Sequence, residues 1–119
     1  MDVRNIYLNL ISELARVLFL VIFCHFTGDY LFQTNYMAKK KATDWWVMLA
    51  HCFCYALPFL ICFGVRWQLI LIIVSHYFID SGKCNGWYGI FFDQYFHLVI
   101  GATYIFPVFT EGNWRAIRL

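Results

Sequence analysis

Histidine and aspartate recur four residues apart inside runs of otherwise apolar sequence: His25 and Asp29, His76 and Asp80, Asp93 and His97. Gln33 and His51 lie in the same kind of surroundings. On a helix, residues four apart share one face, so each pair can turn inward together. Ionisable groups are expensive in a lipid slab; where they occur they face a protein interior and mark function. A chain built this way must gather its polar groups into one internal layer.

Composition says why the slab is lipid. The chain of 119 residues is 62% hydrophobic and 13% charged. A soluble domain carries about 25% charged residues, so this one lacks the polar groups to cover a water-facing surface. Its net charge of +2, with no basic helix or aromatic–basic alternation, gives no surface for nucleic acid. Cys24, Cys52, Cys54, Cys62 and Cys84 are odd in number and mostly in apolar runs, which argues against a disulfide framework. Asp2, Arg4, Glu13 and Arg16 interrupt the amino terminus, so it is expected to stay on the mature protein.

The expected fold is all-α: a four-helix transmembrane bundle with short connections, one domain over 1–119. A bilayer core of about 30 Å calls for about 20 apolar residues per helix. The candidate segments are about 14–32, 46–63, 67–79 and 88–109, the third short enough to distort the membrane locally. Before Leu14, Ile6 and Leu10 oppose Asn9, Glu13 and Arg16. This lead-in is either an amphipathic helix at the interface or an extension of the first span. Links at 37–44, 64–66 and 81–87 imply antiparallel neighbours. Gly82-Lys83 lacks the glycines of a phosphate loop. Trp45, Trp46, Trp87 and Tyr88 mark one interface, and Trp67 and Trp114 the other.

With chain direction alternating, the ionisable residues fall on one side. At about 1.5 Å per residue, His25, Asp29, Gln33, His51, His76, Asp80, Asp93 and His97 lie roughly 0–18 Å from the face that carries Lys39, Lys40, Lys41 and Lys83. Four helices thus deliver polar groups into one layer. His-aromatic-x-x-Asp occurs at both His25 and His76, each followed one helix later by another histidine, His51 or His97. A pseudo-two-fold repeat along the membrane normal would produce this pattern.

The combination His25-x-x-x-Asp29 with Gln33, His51, His76-x-x-x-Asp80 with Lys83, and Asp93-Gln94-x-x-His97 resembles a family of small bacterial and phage membrane proteins known only as domain of unknown function 3307. The resemblance spans about 23–98. It implies a membrane location, with a bacterial inner membrane as the setting, and gives weight to these positions; it implies no reaction. More remotely, the arrangement is similar to membrane-bound metal-dependent hydrolases.

The residues themselves suggest a metal centre. Imidazole with carboxylate suits zinc, manganese or iron, whereas magnesium and calcium prefer oxygen. The ligands expected are His25, Asp29, His76, Asp80, Asp93 and His97, enough for a dinuclear site with a bridging carboxylate. His51 is either a ligand or the group that protonates a leaving oxygen, and Asp93 also serves catalysis. Gln33, Gln94 and Lys83 would orient ligands or substrate. Such a centre would hydrolyse an amphiphilic, lipid-linked (phospho)ester with a metal-activated water.

Two other readings stay open: polar side chains that hold helices together, worth about 0.6 kcal/mol each, and a metal or proton transport component. Asp80 could instead cap the break after the third helix. His51-Cys52-x-Cys54 points its side chains in different directions and reads as filler. Ser75 and His76 are about 100° apart on a helix and form no catalytic unit.

The expected partners are membrane lipids. Four short helices bury little surface, which leaves room for a homodimer. Lysines in short loops place that face in the cytoplasm, against Arg4, Arg66, Arg115 and Arg118 on the other.

Overall fold

The computed structural model describes residues 2–110; Trp114, Arg115 and Arg118 lie outside them. Helix α1 (Val3–Phe26) runs without a break into a π-helical segment, Thr27–Leu31. A short α2 (Asn35–Lys40) follows, then α3 (Trp45–Phe63), α4 (Trp67–Cys84) and α5 (Ile90–Gly101). A 3-10 segment (Ala102–Ile105) leads into α6 (Phe106–Thr110). Among the described residues there is no strand, so the chain is all-helical.

Local chemistry sets the ends. The Asp2 carboxylate accepts from the Arg4 N–H at 3.2 Å, and Asp44 accepts from Trp46 and Val47 at 3.0 and 3.4 Å. Side-chain oxygens at this position satisfy donors that the helix cannot. Gly64, at φ 74°, closes α3 in the left-handed region that glycine enters without penalty.

Helix α2 occupies the start of the link expected at 37–44, and the segment expected at 88–109 divides into α5, the 3-10 segment and α6. The lead-in is not a separate element: Leu10 and Leu14 already pack on the core, so the helix continues back to Val3. Helix α4 runs five residues past 79. Gly82 lets it continue, because Tyr88 folds back over it to donate to the Ile79 carbonyl, and a Cβ at Gly82 would meet the Tyr88 hydroxyl at 2.6 Å. Asp80 therefore lies inside a helix and caps nothing.

Apolar and polar contacts divide the bundle lengthwise. Val17, Leu20, Val21 and Cys24 of α1 pack with Tyr55, Ala56, Phe59 and Phe63 of α3, Ile72 of α4, and Tyr104 and Val108. Tyr104 stacks on Phe63 and Phe59 at 4.3 and 5.6 Å between ring centroids. The ionisable residues fill the other half. Outside, Phe19, Phe23, Ile61, Ile70, Phe78 and Phe91 are exposed. Among the described residues, two helical stretches, Val3–Leu31 and Trp45–Phe63, are long and apolar enough to cross a membrane, each with mean hydropathy 1.9.

Where the π-helical segment meets α3, Gly28 lies against the Tyr55 backbone, and a Cβ there would collide with the Tyr55 carbonyl. This contact carries Asp29 into the bundle. Gly28→Ala is expected to cost about 1–3 kcal/mol of stability through overpacking. Gly89→Ala, which enters open space, should stay within about 0.5 kcal/mol. Unfolding in mixed micelles compares the two, and equal effects would deny the close approach.

Candidate metal centre

Asp29 owes its position to the π-helical segment. The Phe32 N–H bonds to the Thr27 carbonyl at 3.1 Å, five residues back, which widens the turn that holds Asp29. Its Oδ1 then lies 3.4 Å from His51 Nε2 on α3 and 3.8 Å from His76 Nε2 on α4. Those two ring nitrogens are 3.0 Å apart. A tetrahedral ion with bonds of about 2.0–2.1 Å sets neighbouring ligand atoms about 3.3 Å apart, and this triangle scatters around that edge. Asp29, Asp93 and His97 form a second group; in each group one ligand atom per residue lies within 4.8 Å of the others. Asp29 belongs to both.

Around Asp29 runs a closed ring. Asp80 Oδ2 is 3.3 Å from His51 Nε2, and His51 meets His76. His76 Nδ1 lies 3.3 Å from His97 Nδ1, and His97 Nε2 is 3.2 Å from Asp93 Oδ1. Lys83 closes the circle, with Asp93 Oδ2 at 3.1 Å and Asp80 Oδ1 at 2.8 Å. Lys41 adds an ion pair to Asp80 Oδ2 at 2.6 Å and lies 3.4 Å from His51. His51, His76, Asp80 and Asp93 are wholly buried.

A second layer of hydrogen bonds sets the donors and acceptors. The Gln94 amide nitrogen donates to Asp93 Oδ2 at 2.9 Å and Asp29 Oδ2 at 3.3 Å. Its oxygen therefore accepts from His25 Nε2 at 2.7 Å, which leaves His25 Nδ1 to accept from the Tyr55 hydroxyl at 2.9 Å. The Tyr55 ring also stacks on His76, with centroids 3.8 Å apart and planes within 8°. Such outer contacts fix ring orientation and ligand direction.

Placement of the expected site residues is uneven. Asp29, His76, Asp93 and His97 fall into the two candidate groups, together with His51. His25 has both ring nitrogens engaged by Gln94 and Tyr55, and Asp80 is held by the two lysines. Neither is in those groups. Gln94 and Lys83 tie carboxylates together. Gln33 is half-buried, its Oε1 without a hydrogen-bond partner among the described residues. Only Asp93 and His97 hydrogen-bond within their own i, i+4 pair; the other pairs reach across helices.

Two residues of the site went unread in the sequence. Tyr55 lies four residues after His51, the spacing that flagged the others, and could have been found. Lys41 could not, because nothing in Lys39-Lys40-Lys41 distinguishes the buried member, 8% exposed, from its exposed neighbours.

Fold and site define an all-helical protein with a buried imidazole–carboxylate–lysine centre. The chain belongs to the family described as "Protein of unknown function (DUF3307)", which matches residues 17–116 and so takes in every member of the centre. No curated protein and no solved structure matches it.

Removing one partner of a buried ion pair leaves the other charge uncompensated, at about 3–5 kcal/mol. Lys41→Met should lose stability on that scale. Lys39→Met and Lys40→Met should stay within about 0.5 kcal/mol. Lys41→Met combined with Asp80→Leu should recover part of the loss. Unfolding midpoints of the four variants test the pairing, and a neutral Lys41→Met would refute it.

Proposed function

We propose that this protein is a membrane-embedded, metal-dependent hydrolase of an amphiphilic (phospho)ester. The observation that carries the reading is Asp29. Three buried aspartates face two lysines, and the lysines pair with Asp80 and Asp93. Asp29 has imidazoles and an amide around it but no lysine partner, and it is the member common to both candidate groups. A buried carboxylate in that position favours a cation. Histidine with aspartate selects zinc, manganese or iron, and two ions would share Asp29.

Asp29, His51 and His76 would hold one ion, and Asp29, Asp93 and His97 the other. Bound metal lowers the pKa of a water and polarises a phosphoryl or acyl oxygen. The remaining groups act through position. Gln94 fixes the direction of two carboxylates, and Tyr55 and His25 fix Gln94. Lys83, about a quarter exposed, is the more accessible of the two lysines in the ring and holds Asp80 and Asp93 together. Burial of the ring keeps bulk water away from the reacting atoms.

Membrane embedding accounts for the outer surface. A belt of exposed phenylalanine, isoleucine and leucine on α1, α3, α4 and α5 exceeds what a water-soluble monomer shows. In this setting α4 and the continuous helical run from α5 through α6 would join the two apolar helices as spans, with their polar residues turned inward. The cluster then sits near the lysine-bearing face, within reach of an amphiphile whose headgroup lies at the interface.

One observation favours a second reading. The Lys41–Asp80–Lys83–Asp93 chain of ion pairs is self-sufficient, and a centre that only ties helices together would need no more. Element analysis of the detergent-purified protein separates the two. The hydrolase reading expects about two divalent ions per chain, none in Asp29→Asn and about half in His97→Ala. Phosphate or acid release from an amphiphilic ester should vanish with the metal. A folded wild-type protein free of transition metal would leave the structural reading standing.

A further inference from the structure

Beside the ring, on the lysine-bearing side, lies a cavity of about 210 Å³ between the start of α3 and the end of α4. Lys41, Asp44, Tyr77, Ser81, Cys84 and Asn85 line it. Lys41 is its link to the centre, since the same ammonium contacts Asp80 Oδ2 and His51 Nε2. One side chain therefore separates the cavity from the ring.

The chemistry of the walls selects an occupant. An ammonium has three donors; Asp80 Oδ2 takes one of them, at 2.6 Å. Ser81 and Asn85 add a hydroxyl and an amide. The wall's carboxylate, Asp44, turns its Oδ1 to the N–H groups of Trp46 and Val47 at the start of α3, and Lys41 outweighs it only with the help of the neighbouring lysines. Lys39 and Lys40 stand exposed next to Lys41 and raise the local positive potential. At about 30 Å³ per water, the space equals about seven waters. That suits a compact polar group, not a whole amphiphile. Trp45 and Trp46, stacked at 4.0 Å, place the mouth where aromatic side chains meet headgroups.

We propose that this cavity binds a phosphate monoester through Lys41, Ser81 and Asn85. The assignment deepens the hydrolase reading by naming where the phosphate of the substrate docks, and it rests on that reading only in treating the occupant as substrate. The phosphate can arrive on a lipid or free in solution.

Cys84 reports on occupancy because it lines the same cavity. The full chain, stripped of metal by chelator, is placed in phosphatidylcholine nanodiscs, in the same nanodiscs with phosphatidic acid, and in the first with inorganic phosphate in the buffer. Alkylation by N-ethylmaleimide is followed at Cys84 by peptide mass spectrometry, with Cys54 and Cys62 as internal controls. At ten times the dissociation constant, an occupant should slow Cys84 labelling about tenfold. Slowing by phosphatidic acid alone assigns a lipid-borne phosphate; slowing by both assigns the phosphate itself. The difference should disappear in Lys41→Gln and in Asn85→Asp, the latter placing a like charge at an exposed position in case the former fails to fold. It should persist in Lys39→Gln and Lys40→Gln. Equal labelling in all three preparations, or equal loss of protection in the Lys39 and Lys40 variants, overturns the proposal. The metal-free format keeps this result independent of whether the centre holds metal.

Discussion

Three carboxylates buried at one end of a helical bundle have to be compensated, and most of what is unusual in this protein follows from how that is done. An ion removed from water costs several kcal/mol even after relaxation. Asp80 and Asp93 draw Lys41 and Lys83 inward, and Lys83 spans the two of them. Asp29 draws two imidazoles and the Gln94 amide instead. The helices are thereby tied at one depth: the π-helical end of the first helix through Asp29, the α2–α3 connection through Lys41, α3 through His51, α4 through His76 and Asp80, and α5 through Asp93 and His97.

The apolar half supports this. The Phe59, Phe63 and Tyr104 rings, together with Val17 and Val21, fill the space between α1, α3 and the chain after α5. A tightly packed end can hold a strained or irregular element at the other. The irregular element here is the π-helical segment at Thr27–Leu31. Such segments cluster at functional positions because they re-aim side chains that a regular helix would send elsewhere. Gly28 gives this segment its close approach to α3, and the wider turn delivers Asp29 to two other helices. One irregularity and one missing Cβ thus position the carboxylate on which the proposed metal centre depends.

Much of the centre was legible before any coordinates. Aspartate and histidine at i, i+4 in apolar runs singled out residues that the fold buries and brings together, because placing them in such surroundings is costly and therefore informative. The spacing was silent about partners. It put each pair on one inward face without naming what that face meets: His25 turns to Tyr55 and Gln94, and Asp80 to lysines. Periodicity reports which face a residue occupies, not which neighbouring helix that face meets. The end of α4 was misjudged for a related reason. Ser81-Gly82-Lys83 has turn composition, and only the packing of Tyr88 over Gly82 shows why the helix continues.

The sequence by itself determined the helical class and the segregation of polar groups to one side, because both follow from local periodicity and the cost of burying charge. It also singled out His51 and the three spaced pairs as residues that must be buried together. Tertiary structure alone decided which lysine of Lys39-Lys40-Lys41 enters the ring, that Tyr55 orients His25 and His76, and that Asp29 faces both candidate groups. Those outcomes depend on the rotation and approach of one helix against another. Short-range sequence pattern does not encode that geometry, since it is set by side chains that lie far apart along the chain.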